Sequence, residues 1–347
     1  AQNPLKQSLT TDPAIRAKHI TWPRVITMIV VIPVSFFIPM LTSINEKIGN
    51  MSKSFSLLAI TIAAIAGICS LIGVALVKEG KHMEQDEKKK VSFADFKYLF
   101  INNKPYVSNL LMTVFHGFVW TMVFATTTYY VKWAYCTDLS TGVVDQAKFG
   151  SMTLILGMFQ LFPSILGALV SPKLVKLMDG PVRVMRLAVI MELAGGLSLF
   201  ICMILGILST SPALYFICIF VLLLGGGITF VPGSMMGVEC MDYTMVKTGK
   251  EIHGIVNSVM NLLSKIQSAV STALVGLILI SIGYEVDSVT DTFLGELSSI
   301  PTMLNRFIIV SGLIPAILCA IALVFLKIYP IDTKMRNDIN EKIAKMR

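Results

Sequence analysis

Apolar runs close to 20 residues long recur along this chain, and they limit its fold more than any other feature. About 20 consecutive apolar residues make a helix that crosses a bilayer. In hydrocarbon, only a helix or a closed barrel satisfies its own backbone. Eight such runs fall at roughly 23–43, 55–77, 106–131, 149–171, 184–208, 212–237, 255–283 and 304–328. Charged residues make up 14% of the 347 positions, against about 25% in a soluble domain. The chain therefore reads as an all-α polytopic membrane protein with eight transmembrane helices, embedded in a lipid bilayer. An unusually apolar soluble helical protein is the weaker alternative.

The net charge of +8 could suggest a nucleic-acid partner, but the basic residues are sorted by side. With the first residue in the cytoplasm, 22 of the 29 Lys and Arg fall in inside segments and 5 in outside segments, while Arg24 and Lys265 lie within spans. Positive loops face the cytoplasm, so both ends of the chain are expected there, in a multi-pass plasma-membrane protein that binds no nucleic acid. The outside segment 284–302 carries four acids and no Lys or Arg, in agreement.

The order of runs and charged stretches divides the chain. Residues 1–77 hold two spans, and 78–105 form a charged connector. It ends in a short surface helix with Phe93, Phe96, Leu99 and Phe100 on one face. Residues 106–328 hold six spans, and 329–347 form a polar tail. The six cysteines show no CxxC spacing and most sit in apolar runs, so neither a disulfide nor a metal site is expected. There is no phosphate loop, no GxSxG elbow and no HExxH helix, and the four histidines are scattered. No enzyme and no cofactor is expected.

Polar residues inside the spans are the candidates for function, because charge at that depth is costly. Lys265 lies about ten residues into its run, too deep to snorkel easily. Asn257, Asn261, Ser264 and Ser268 step by 4, 3 and 4 and share one helical face, with Lys265 at its edge. That face lines a water-filled cavity or serves as hydrogen-bonding glue between helices. Arg24 sits at the mouth of the first run, either as an interfacial arginine or as a site residue. His116, Gln160 and Glu192 are isolated in their spans and read as local packing contacts. Glu192 is also a candidate proton site. Tyr129 and Tyr130 read as part of an interfacial aromatic belt, and Phe230 lies near the end of a span. Gly225, Gly226 and Gly227 suggest close helix packing or a flexible point.

The segment Glu239-Cys240-Met241-Asp242-Tyr243, then Lys247-Thr248-Gly249-Lys250, Gly254 and Lys265, resembles the loop between helices ten and eleven of the glycoside–pentoside–hexuronide:cation symporters. These are melibiose-permease-like members of the major facilitator superfamily. Their pattern is close to D-x-x-D-Y-G-E-W-K-T-G-x-R; here Glu239 stands for the first acid, and Thr244 and Met245 replace Gly and Glu. Ser8-Leu9-Thr10-Thr11-Asp12-Pro13 with Arg16, Asn103-Lys104-Pro105-Tyr106, Tyr129-Tyr130 and Tyr329-Pro330 resemble further landmarks in family order.

The resemblance covers essentially the whole chain and implies a partial major facilitator fold, with the eight spans corresponding to helices five to twelve. It implies alternating-access symport of a sugar or glycoside with Na⁺ or H⁺, by what is expected to be a monomer. It also implies that Arg24, Phe230, Asn261 and Lys265 belong to the substrate cavity, with the lysine in a cavity or cation-coupling role. Glu239, Asp242, Lys247 and Lys250 would be gating residues on the cytoplasmic side. The family's acidic cation and sugar ligands lie on helices one to four, which this chain is expected to lack, so a carboxylate for Lys265 would come from those helices or from Glu192. The chain alone is accordingly expected not to transport. A carrier of a non-sugar substrate and a non-transporting remnant remain the alternatives.

Overall fold

A computed structural model describes residues 26, 37–76, 93–249, 253–281, 284–286 and 293–346. Among them the named elements are all helical, and β pairing is limited to isolated bridges of Thr137 with Val144 and Val286 with Phe293. Seven stretches are long and apolar enough to cross a membrane. They correspond to the second through eighth apolar runs; the first run falls largely outside the described residues. The chain forms two compact units, one of residues 31–90 and one of residues 1–30 with 91–347.

The smaller unit holds α1 (Phe37–Ile48) and α2 (Met51–Leu76). They join at Gly49, whose φ of 68° suits a residue without a Cβ. Asn50 accepts a hydrogen bond from the Lys53 backbone at 3.1 Å and so caps α2. Phe37 meets Phe55 edge to face, ring centres 5.8 Å apart.

The larger unit holds α3 (Phe93–Ile101), α4 (Lys104–Tyr135), α5 (Gln146–Leu177), α6 (Pro181–Ile204), α7 (Pro212–Thr248) and α8 (His253–Ile280). The last crossing is built of α9 (Ile300–Ile308), one π turn (Ile309–Leu313) and α10 (Ile314–Ile328); α11 (Thr333–Met346) follows. Helix starts are written in the sequence. Asn103 accepts from the Tyr106 N–H at 3.1 Å with Pro105 in the first turn. Asp145 and Ser211 cap α5 and α7 in the same way.

One boundary differs from the sequence reading. Residues 239–248 are the closing turns of α7, not a loop. The helix stops at Gly249, whose φ of 66° closes a left-handed cap, with its N–H donating to the Met245 carbonyl. The charges in this stretch read as a loop, yet they sit against protein. Asp242 and Thr244 are buried, and the Glu239 carboxylate is bonded by Arg336 of α11.

Helices α5, α6 and α7 approach closely because glycines face the contacts. A Cβ on Gly167 would lie 2.6 Å from the Ile228 nitrogen, and one on Gly195 2.6 Å from that of Leu222. On α7, Gly225 presses on Glu192, Gly226 on Trp120 and Gly227 on Ser164. Hydrogen bonds secure the crossings: the Ser171 hydroxyl donates to the Ile228 carbonyl at 2.8 Å, and that of Ser108 to the Phe325 carbonyl at 2.7 Å. Tyr130, expected in an interfacial belt, is instead buried in the bundle and stacked 4.7 Å from Tyr215. Its neighbour Tyr135 donates to the Leu208 carbonyl at 2.7 Å. Here the rings fill core space that α4, α6 and α7 leave at this end of the bundle. Tyr129 is half-buried and stacks on Phe307.

Candidate functional site

The polar face of α8 borders its contact with α4. Gln267 donates from Nε2 to the Thr113 and Val114 carbonyls at 3.1 and 2.9 Å, and the Ser271 hydroxyl bonds that of Thr121 at 2.6 Å. These contacts rise together along both helices, so α4 and α8 run parallel. With Gln267 and Ser271 buried, Ser258, Asn261, Ser264, Lys265, Ser268 and Thr272 are left exposed on this unit. Ser264 and Thr272 turn back to the Asn261 and Ser268 carbonyls. Asn257 belongs to the same expected face, but its side chain lies outside the described residues. A lysine facing hydrocarbon at mid-helix costs about 2.5–3.5 kcal/mol. Such a stripe is therefore built to meet water or a polar partner.

The α4 residue next to Thr121 belongs to an aromatic group. Trp120 precedes Thr121 on α4 and stacks on Phe124 with ring centres 5.2 Å apart. It also meets the tilted ring of Phe230 of α7, at 5.2 Å. Gly226 gives the indole its seat. The indole Nε1 is buried with no hydrogen-bond partner among the described residues. The group thus sets one unfilled donor among flat apolar rings. Nothing in the sequence pattern separated Trp120 from core aromatics. Its position one turn after a polar His116 was the available signal.

The third feature is a buried pair. His116 Nε2 and Glu192 Oε2 lie 2.6 Å apart, joining α4 to α6 across 76 residues of sequence. The Cys319 thiol of α10 lies 3.8 Å from the same oxygen. Both residues thus make a helix-packing contact, as the sequence suggested, and Glu192 is the partner of His116 rather than of Lys265.

At the α11 end, Arg336 binds Glu239, and the Tyr329 hydroxyl lies 3.5 Å from both Glu239 Oε2 and the Cys240 sulfur. Burial, then the neighbouring Cys240 and Glu239, holds the Tyr329 phenol well above its ordinary value, so it stays a donor. Asn103 links α4 to α7 here, donating to the Thr244 hydroxyl at 2.5 Å. That threonine is one of the departures from the symporter pattern. Asp242 is buried nearby, and the Lys247 ammonium lies 5.9 Å above the Tyr243 ring. Arg24 and Lys250 lie outside the described residues. Of the expected substrate residues, Phe230 thus joins an aromatic group on α4, and Asn261 and Lys265 share one exposed stripe of α8. Among the described residues, no cluster of His, Cys, Asp or Glu has metal-binding geometry.

Seven helices long and apolar enough to cross a bilayer define a multi-pass membrane protein. The sequence matches the family described as MFS/sugar transport protein over residues 4–333, and the chain belongs to that family. It is also 22% identical over 305 residues to "Uncharacterized symporter YnaJ" of Bacillus subtilis (strain 168). That alignment covers 87% of this chain and 59% of the relative, so the chain spans well under two thirds of the relative's length.

Proposed function

We propose that this protein is the larger part of a secondary carrier that moves a sugar or glycoside together with Na⁺ or H⁺ by alternating access. The observation that carries the reading is the α8 stripe of Asn261, Lys265 and Ser268, exposed on a membrane-spanning helix whose Ser271 bonds Thr121, the chain neighbour of Trp120. A pyranose stacks its apolar face on the Phe230 ring, and its hydroxyls bond Asn261, Lys265 and the Trp120 N–H. Arg24 contributes a rigid fork of donors suited to neighbouring hydroxyls. Sites of this kind lie near the membrane midplane between helical repeats. The family and a relative printed as a symporter support the transport class. The Lys and Arg distribution supports cytoplasmic ends in the plasma membrane. On this reading the chain acts as a monomer, and Glu239, Asp242, Lys247 and Lys250 belong to the cytoplasmic gate.

The test is uptake of labelled pyranosides in a host without its own sugar carriers, expressing the protein from its native reading frame. Accumulation should collapse in Lys265→Ala and Phe230→Ala while membrane insertion stays normal. Undiminished accumulation in both variants, or no pyranoside uptake at all, would overturn the reading.

A further inference from the structure

The transport reading makes no use of the pair between α4 and α6, and the setting of that pair is specific. Glu192 is fully buried, while His116 keeps 10% of its side chain exposed. One carboxylate oxygen, Oε2, receives the imidazole and the Cys319 thiol. The other, Oε1, is buried with no partner among the described residues. The groups facing the pair from the packed helices are few. From α10 comes Cys319. From α7 comes Gly225, which has no side chain and lies against Glu192 Cγ. From α5, Gln160 bonds Thr127 further along α4. From the π turn, Ser311 bonds the Phe307 carbonyl. From α8, Gln267 and Ser271 face α4, and Lys265 is exposed on the other side. On α6 itself Arg186 lies six residues earlier, about 9 Å along the axis, donating to the Leu326 carbonyl at 2.8 Å.

The carboxylate therefore depends on an imidazole for its charge partner. A pair serving only to hold helices together would be better made with arginine, which never loses its proton. Imidazole is the side chain that changes charge near neutral pH. We propose that His116 and Glu192 form an exchangeable proton-binding site inside this bundle. In the emptied state the neutral imidazole donates its Nε2 proton to Oε2, and the site carries one negative charge. In the loaded state Nδ1 takes a proton from water, and the imidazolium–carboxylate pair is neutral. The proton arrives through the exposed edge of His116, because Glu192 is enclosed. Toward the starting ends of α4 and α6, Asn109 Oδ1, Arg186 Nε and the Tyr106 hydroxyl are further buried polar atoms without partners among the described residues. The site's existence stands apart from the sugar reading; its use in coupling rests on it, and there the coupling cation is a proton.

The test is a titration of the full chain in lipid nanodiscs, labelled with ¹⁵N-histidine, from pH 5 to pH 10. His116 is assigned by the signal missing in His116→Gln. Its ring nitrogens should pass from imidazolium to neutral as pH rises, and in Glu192→Gln the midpoint should fall by about one unit or more. A His116 held in one protonation state across the whole range would overturn the proposal, as would an unmoved midpoint in Glu192→Gln. The wild-type titration decides the matter even if that variant does not fold. A repeat with saturating nitrophenyl glycoside tests the coupling. A shifted midpoint supports it, and an unshifted midpoint despite measured binding removes the coupling role. Absence of binding, read from tryptophan emission, counts against the sugar reading and leaves the proton site standing.

Discussion

Removing one partner of the His116–Glu192 pair should cost far more than removing both. Glu192→Ala deletes the carboxylate that lies 2.6 Å from the imidazole. His116 then holds a buried N–H with no acceptor, a loss of about 1–3 kcal/mol for a neutral donor and about 3–5 kcal/mol for an uncompensated charge. Gly225 presses on the Glu192 stem and limits how far α7 can close the gap, so a cavity cost adds to this. Replacing both residues by apolar groups of similar size, His116→Leu with Glu192→Met, removes the polar pair together and should be neutral or stabilising. The coupling energy across the cycle should reach about 3 kcal/mol, at the upper end for contacting residues. The assay is reversible unfolding in mixed detergent micelles followed by tryptophan emission, since Trp120 stands one turn from His116. Additive single costs, with a coupling below about 0.5 kcal/mol, would refute the view that these groups depend on each other.

Four further outcomes follow from the packing. Gly227→Val places side-chain atoms against the Ser164 backbone and should destabilise the bundle by about 1–3 kcal/mol or more. Gly233→Ala, with nothing within 4 Å of its new Cβ, should be neutral or slightly stabilising in the same unfolding assay. Arg336→Ala removes the bond to Glu239 and should speed trypsin cleavage within α11 several-fold, whereas an unchanged rate would mean that the bond does not hold the tail. Cys136 is 2% exposed, and burial pushes its thiol up to about 11. It should resist maleimide at pH 8 in the folded protein and react on unfolding; rapid native labelling would contradict this.

The helices were legible because the bilayer forces each one to announce itself as an apolar run of fixed length. Their starts were legible where a cap residue stands alone, as at Asn103 before Pro105. The end of α7 was not. Glu239, Asp242 and Lys247 look like loop residues by charge, and only the position of Arg336, 97 residues beyond Glu239, makes a carboxylate acceptable there. The polar stripe of α8 was readable from its 4, 3 and 4 spacing, since helical periodicity is a local property. The partner of Glu192 was not readable. A carboxylate in mid-span announces that it needs a partner, but whether that is Lys265 or His116 depends on which helices touch. Tyr130 failed for the same reason: a ring near the end of a span looks interfacial until the helix beside it supplies Tyr215.

The three consecutive glycines of α7 have a mechanical consequence. Positions 225, 226 and 227 point in three directions around one turn, and each is the seat of a different neighbour: Glu192, Trp120 and Ser164. That turn is a shared bearing for the acid–imidazole pair, the Trp120 ring and the helix α5. A rotation of α7 by a few degrees would press on one seat while relieving another. A ligand held, as proposed, at the aromatic group and the charge on the His116–Glu192 pair would then be sensed by the same piece of backbone, with no side chain in between to absorb the motion.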